Sequence, residues 1–317
     1  MRAATVRDGR IVVEEHPDPT PGAGECLIRV MAAGLNGADL IQRAGRYPAP
    51  QGSPKLIPGL ELAGEVLSRG RGAKRFARGE RVMAIVGGGG QAELAVVHER
   101  QLMPVPDNLG WAEAGGCPEV FTTAYDALYT QCQLTMGERL LVHGGAGGVG
   151  TAAIQLGRRG GAQVTATVRN PKLRDEVARL GAKVIAPEDF VDQGPYDVIM
   201  ELVGAPNFKG NIDALATEGR ISVIGVGAGA KAQINLMPLM NKRGRIHGSM
   251  LRYRPLEEKA ETARLVERHV LPQLGAGTIQ VPVAATYPLE RVEEAYAHFE
   301  NGGKLGKIVL IMNEPGA

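Results

Sequence analysis

The chain has 317 residues, 44% of them hydrophobic and 22% charged, with a formal net charge of +2 at pH 7. That length and balance suit two folded domains, each with its own core, and argue against a disordered or fibrous chain. Near-neutral charge with both signs interspersed argues against an extended nucleic-acid or membrane surface, and no uninterrupted apolar run reaches the span of a bilayer.

Cys26, Cys117 and Cys132 are widely spaced, and the six histidines are scattered. Neither set makes a disulfide framework or a zinc motif, so the expectation is a cytoplasmic, metal-free protein with reduced thiols.

In chain order, short β-prone runs come first, at residues 11–13, 26–30, 65–67, 81–86 and 93–97. Turn signals such as Asp8-Gly9 and Pro21-Gly22 separate them, which predicts a compact barrel-like domain. A long irregular segment, from Gly34 through Asn36, Asp39 and Tyr47-Pro48 to Glu61, interrupts the strands; loops of that length usually carry function. From Pro118 the pattern changes to alternating strands and helices, beginning with a helical run at 122–128.

The strongest motif follows. The apolar run Leu140-Leu141-Val142 leads into His143-Gly144-Gly145-Ala146-Gly147-Gly148-Val149-Gly150, and then Ala152, Ala153, Ile154 and Leu156 fall at helical spacing. Gly145-x-Gly147-x-x-Gly150 between a strand and a helix fits the dinucleotide-binding fingerprint. There the glycines permit a tight turn and close approach to a pyrophosphate facing the helix N-terminus. Further strands are expected at 163–168, 183–185, 197–200, 221–224 and 245–248, and a helix at 172–180, capped by Asn170-Pro171 and ended by Gly181. Six strands with crossover helices predict an α/β fold with a doubly wound parallel sheet. Beyond it come one amphipathic helix at 256–274, an extended piece at 280–284, a helix at 289–299 and a strand at 307–311. A chain returning to its first domain after an inserted nucleotide fold accounts for these last elements.

In NAD-binding versions of the fold, a carboxylate about 20 residues past the glycines accepts a hydrogen bond from the ribose 2′-hydroxyl. Here that place holds Val168-Arg169, with Lys172 and Arg174 close behind. These cations suit the 2′-phosphate of NADPH; the alternative is solvated charge at a helix start. No nucleophile elbow, Gly-Lys-Ser/Thr phosphate loop or glycosidase-like carboxylate pair stands out, so hydrolase and kinase chemistry recede.

Several segments together resemble the zinc-independent, zeta-crystallin-like quinone oxidoreductases of the medium-chain dehydrogenase/reductase superfamily. They are Leu35-Asn36-Gly37-Ala38-Asp39-Leu40, Gln42-Arg43-x-Gly45-x-Tyr47, Pro58-Gly59-Leu60-Glu61, Gly88-Gly89-Gly90-Gln91-Ala92-Glu93, Pro118-Glu119-x-Phe121-x-Thr123-Ala124, the glycine stretch, Lys242-Arg243-Gly244 and Gly306-Lys307-Ile308-Val309-Leu310. The resemblance implies a GroES-like β-rich catalytic domain from residues 1–117 and 277–317, a Rossmann domain from 118–276, and a cofactor cleft between them. Zinc-dependent relatives carry a Cys in the segment matching Gly34-Leu35-Asn36 and a His where Leu60 stands, and this chain has neither.

Carried over residue by residue, the resemblance implies that Gly145, Ala146, Gly147, Gly148 and Val149 meet the pyrophosphate, and Arg169 and Lys172 the 2′-phosphate. Ile224, Gly225 and Val226 would line the far side of the cofactor, Thr123, Met250 and Leu251 the nicotinamide, and Lys307 would also contact the cofactor. Asn36 and Tyr47 would be the catalytic pair bordering a small quinone. The alternatives are an NADPH-dependent reductase of an enone, 2-alkenal or enoyl thioester, with Tyr47 as proton donor, or a non-catalytic NADPH-binding or nucleic-acid-binding module. Relatives dimerise through Rossmann sheet edges, which implies a homodimer with 245–250 as the edge.

Overall fold

Period-two alternation builds the first strands. β1 (Arg2–Arg7) and β2 (Arg10–Glu15) form a hairpin across Asp8-Gly9, both in the left-handed region that a tight two-residue turn requires. In β3 (Glu25–Gly34), Cys26, Ile28 and Val30 are buried in turn while Arg29 between them is exposed. There follow α1 (Gly37–Arg43), β4 (Glu61–Arg69), β5 (Arg81–Ile85), β6 (Leu94–His98), β7 (Met103–Pro104) and α2 (Trp111–Gly116). The long segment expected as loop thus contains a helix, α1, whose entry is fixed by the Asp39 carboxylate accepting the Asn36 N–H at 2.8 Å.

From Pro118 the chain runs α3 (Pro118–Tyr125), a π-helical turn (Asp126–Gln131), β8 (Arg139–Val142), α4 (Gly148–Arg159), β9 (Gln163–Thr167), α5 (Arg174–Ala178), β10 (Lys183–Ile185), β11 (Tyr196–Glu201), α6 (Phe208–Asp213), β12 (Leu215–Val223), α7 (Leu236–Asn241) and β13 (Arg245–Gly248). The six strands pair in parallel in the order β10-β9-β8-β11-β12-β13. Strand order reverses between β8 and β11, the position at which open α/β sheets bind ligands. The helix expected at 172–180 is instead a short 3-10 turn, Pro171–Leu173, followed by α5. Asn170 causes this, its side-chain oxygen accepting the Lys172 N–H at 3.1 Å and tightening the first turn.

The remaining elements are α8 (Leu256–His269), α9 (Leu271–Gly275), β14 (Val283–Pro288), α10 (Val292–Asn301) and β15 (Lys307–Ile311). The single helix expected at 256–274 is broken at Val270, because Pro272 lacks an N–H and its ring crowds the carbonyl four residues back. β15 pairs antiparallel with β3, giving a sheet ordered β14-β15-β3-β4-β5-β7, with β6 also on β3. The last two strands therefore complete the sheet that β3 to β7 build, while β1 and β2 form a separate two-stranded sheet. Its core includes Ile28, Val30, Leu62, Val82, Tyr296, Ile308 and Leu310.

In this computed structural model, which describes residues 1–312, the chain groups into two units. The first comprises Met1–Glu119, Leu251–Gly302 and the described residues from Lys307 onward; the second comprises Val120–Met250 with Gly303–Gly306. α8 and α9 fall in the first unit, whereas the sequence reading carried the dinucleotide-binding span to residue 276. Their anchors explain this: Arg264 Nη2 donates to Leu102 O at 2.6 Å and Asn108 Nδ2 to Leu274 O at 3.0 Å. Among the described residues no helix is long and apolar enough to cross a membrane.

Candidate active site

In the second unit, β8 ends at Val142 and α4 begins at Gly148, and the intervening turn is tied to both neighbouring strands. His143 N–H donates to Met200 O at 3.1 Å and Gly145 N–H to Thr167 O at 3.0 Å. Two glycines are demanded by packing: a Cβ at Gly145 would lie 2.9 Å from the Ala166 Cβ, and one at Gly150 would lie 2.4 Å from Gly144 O. Gly147 differs. A Cβ there would meet nothing closer than Gly144 O at 3.4 Å, an ordinary contact, so the protein's own packing does not require glycine.

Gly147 is also the N-cap of the twelve-residue α4 and supplies no side-chain acceptor to its first turn. Open space, uncapped N–H groups and the positive end of the helix dipole fit the pyrophosphate of a dinucleotide. The half-buried Ala146, Gly148 and Val149 complete the turn, with Ala146 O accepting the Gly306 N–H at 2.8 Å.

Across the switch point, the Glu201 carboxylate is fully buried at the end of β11. Its Oε1 accepts from Val203 N (2.7 Å) and Gly204 N (2.8 Å), and its Oε2 from Asn211 Nδ2 (2.7 Å). Asn211 Oδ1 lies 2.8 Å from His143 Nε2, and His143 Nδ1 3.1 Å from Thr167 Oγ1. Burial holds the His143 pKa below its ordinary value, so a neutral ring bridges the ends of β8, β9 and β11. Ile224 and Gly225 both donate N–H to Glu201 O, at 3.0 and 3.1 Å, and a Cβ on Gly225 would lie 2.5 Å from Leu202 O. The fold thus brings Gly145 to Val149 and Ile224 to the exposed Val226 to the same carboxyl ends of the sheet.

Arg169 and Lys172 are exposed just past β9, and neither side chain has a hydrogen-bond or ion-pair partner among the described residues. Arg174 is turned back, its Nε donating to Val168 O at 3.1 Å. Thr123 is buried on α3, and Met250 is exposed after β13; both belong to the second unit, while the buried Leu251 opens a segment of the first.

In the first unit, Asn36, Glu61 and Lys307 meet in a buried cluster. Lys307 Nζ donates to Glu61 Oε1 (2.6 Å), Asn36 Oδ1 (2.7 Å) and Leu35 O (2.6 Å). Asn36 Nδ2 donates to Glu61 Oε1 at 2.9 Å, and the Glu119 N–H to Glu61 Oε2 at 2.8 Å. All three ammonium hydrogens of Lys307 are therefore spent within the unit, and the Asn36 amide is engaged at both ends. Asp39, buried beside them, accepts from Asn36 N, Gly59 N (3.1 Å) and Gln91 Nε2 (3.3 Å), and burial raises its carboxyl to about 6. The cluster is centred on a buried lysine ammonium held against a carboxylate. No group of three or more His, Cys, Asp or Glu suited to a metal occurs among the described residues. That donor set does not fit zinc.

Tyr47 is half-buried, its ring flanked by the Arg252 guanidinium, with Cζ 4.6 Å from the centroid, and by Tyr253, edge-on at 5.7 Å. Burial raises its phenol to about 12, so it carries its proton at neutral pH. Sequence reasoning missed Arg252, Glu61 and the His143–Asn211–Glu201 chain. Only the Gly59-Leu60-Glu61 motif could have pointed to one of them.

Two family models match the chain: an alcohol dehydrogenase GroES-like domain over residues 22–107 and a zinc-binding dehydrogenase model over 148–268. A quinone oxidoreductase from Rattus norvegicus is 28% identical over 306 residues, covering 93% of this chain and 91% of that one. Among solved structures, an NAD-dependent alcohol dehydrogenase superposes with a TM-score of 0.86 at 27% identity, covering 99% of this chain and 100% of that one. A mycobacterial protein complexed with NADPH has a TM-score of 0.88 over 98% of this chain and 100% of its own; at 24% identity it speaks for the fold alone. With a GroES-like sheet completed by both chain ends and a Rossmann sheet opened by the glycine turn, this chain belongs to the medium-chain dehydrogenase/reductase superfamily of oxidoreductases, on its zeta-crystallin-like branch.

Proposed function

We propose that this chain is an NADPH-dependent oxidoreductase that reduces a small quinone without a catalytic metal. The observation that carries the reading is the glycine turn at the switch point, with an uncapped helix and space at Gly147, together with unpartnered Arg169 and Lys172 where NAD-binding folds place a carboxylate. The quinone rests on the likeness to quinone oxidoreductases. When bound, the cofactor supplies a hydride, so the protein must orient and exclude rather than activate.

Each residue then has a task. Gly145, Ala146, Gly147, Gly148 and Val149 present backbone N–H groups to the pyrophosphate, and Arg169 and Lys172 neutralise the 2′-phosphate. Ile224, Gly225 and Val226 line the cofactor's far side, and Thr123, Met250 and Leu251 bound the nicotinamide. Asn36 is a positioning residue, its side chain bound to Glu61 and Lys307, and Lys307 acts through that cluster rather than on the cofactor. Tyr47 borders the acceptor with a protonated phenol.

That phenol also favours a second reading, reduction of a conjugated enone, 2-alkenal or enoyl thioester, which needs a proton donor. Homodimerisation is supported by β13, the sheet's edge strand, and by the exposed Leu236, Met237, Met240 and Met250 of its unit. The near-neutral charge favours an enzyme over a nucleic-acid-binding module.

The test is anaerobic NADPH oxidation by chelator-treated protein with benzoquinones, naphthoquinones and 2-alkenals. Turnover on quinones supports the first reading and turnover on alkenals alone the second. Tight NADPH binding without turnover on any acceptor would revive the non-catalytic module.

A further inference from the structure

Arg252 lies in the segment leading into α8 and is only 3% exposed, yet no carboxylate among the described residues forms an ion pair with it. Buried arginines normally have an acidic partner, because a charge taken from water and met only by neutral groups is costly. Here the partners are all neutral. Nε donates to Gly87 O (2.8 Å), Nη1 to Tyr47 O (3.1 Å) and Nη2 to Gln42 Oε1 (2.5 Å). The guanidinium has five N–H donors; three make these bonds, and the neutral Tyr47 phenol oxygen is within hydrogen-bonding reach of it as well.

Hydrogen bonds and ring contacts tie its surroundings together. Gln42 sits in the last turn of α1, the helix that Asn36 and Asp39 begin, so the fork ties that helix to the backbone of Tyr47. Tyr253 fixes the other side, its hydroxyl donating to Pro48 O at 2.6 Å. The Tyr47 ring is thus held between a cation over its face and a tyrosine at its edge. Of the ionisable groups acting on Arg252, Asp39 is occupied by three donors, and Tyr47 and Tyr253 are phenols; Glu119 is the other carboxylate, and Lys259 nearby adds like charge. The positive charge has no bonded counter-ion.

We propose that Arg252 is a positioning residue that holds Tyr47 and lends its uncompensated charge to an acceptor whose oxygen becomes anionic on reduction. The proposal deepens the reductase reading and rests on it for the reaction, though not for the binding preference. The acceptor class is a carbonyl conjugated to an electron-poor double bond, as in quinones and enones. A hydride from a dihydronicotinamide forms a new C–H bond at the electron-poor carbon, the C=C π bond breaks, and its electron pair shifts through the conjugated system to the carbonyl oxygen. The two electrons leave the dihydronicotinamide, which becomes nicotinamide. The oxyanion, an enolate, accepts a hydrogen bond and then the proton of Tyr47 O–H to give an enol, solvent returns a proton to Tyr47, and the enol tautomerises to the saturated ketone or, from a quinone, to the hydroquinone. A cation over the ring strengthens the phenol as donor and favours the anion.

The probe is binding of 4-nitrophenolate, which carries a conjugated oxyanion like that of the enolate, against neutral nitrobenzene of similar shape, with Trp111 fluorescence verifying the fold. Wild type should prefer the phenolate. Arg252→Met should lose about tenfold or more of phenolate affinity with little change for nitrobenzene, and Arg252→Lys should keep the preference. With a conjugated enone, Arg252→Met should lower kcat with KM nearly unchanged. Equal losses for anion and neutral ligand, no loss at all, or a wild type blind to the charge would overturn the proposal. If the methionine variant does not fold, Arg252→Lys carries the test: no preference for the phenolate in that variant would overturn it. Arg252-dependent phenolate binding in a protein that reduces no acceptor would sink the reductase reading and leave this inference standing.

Discussion

Substituting Lys307 by Met removes the ammonium from the buried cluster while keeping most of its volume. Glu61 is then left fully buried, its Oε1 accepting only from Asn36, and Asn36 Oδ1 and Leu35 O lose their donor. Removing one member of a buried ion pair costs about 3–5 kcal/mol, because the remaining charge keeps its desolvation penalty. With a urea dependence of about 2 kcal/mol per molar for a unit of this size, the midpoint should fall by roughly 1.5–2.5 M. Trp111, the single tryptophan, lies on α2 in the first unit, so its fluorescence reports that unit's unfolding. The companion variant Glu61→Gln with Lys307→Met neutralises both members and should recover at least half of the loss. A midpoint unchanged by Lys307→Met, or a double variant less stable than the single, would refute the view that this pair organises the unit.

The remaining predictions concern pH and the glycine turn. Because burial raises Asp39 from 3.8 to about 6, its stabilising contribution is complete below pH ~4 and is lost as pH rises through ~6. Trp111-monitored stability should therefore carry a falling component of about 3 kcal/mol across that window, and Asp39→Asn should flatten it; an identical pH profile in the variant contradicts the assignment. Gly150→Ala puts a Cβ 2.4 Å from Gly144 O and should cost the second unit about 1–3 kcal/mol together with dinucleotide affinity. Gly147→Ala, by contrast, should fold normally and lose affinity alone. Calorimetric titration with unfolding curves separates the two, and a folding defect in Gly147→Ala would count against the space at that position being kept for a ligand.

What was legible in the sequence follows from how local each signal is. The glycine turn, its flanking strand and helix, and the six parallel strands are written in adjacent residues and periodicity, and they stand in the structure as read. Two helix readings failed on single residues that periodicity ignores, Asn170 tightening a turn and Pro272 breaking a helix. The buried cluster was invisible because its partners are far apart along the chain: Asn36 and Glu61 are 25 residues apart, and Lys307 is 271 and 246 residues from them. Read alone, Lys307 looks like a cofactor contact or a solvated strand end; three acceptors within 2.7 Å make it structural. Arg252, between Leu251 and Tyr253, carries no sequence signal that separates a buried fork from a solvated charge.

The central claim is that the second unit selects NADPH through Arg169 at the end of β9. The measurement is the dissociation constant of NADPH and of NADH, by calorimetry, for wild type and Arg169→Ala. A charge-assisted contact to the 2′-phosphate contributes roughly 1.5–3 kcal/mol, so the variant should bind NADPH about ten- to over a hundredfold more weakly and NADH as before. An equal loss for both nucleotides, or none for either, would contradict the account.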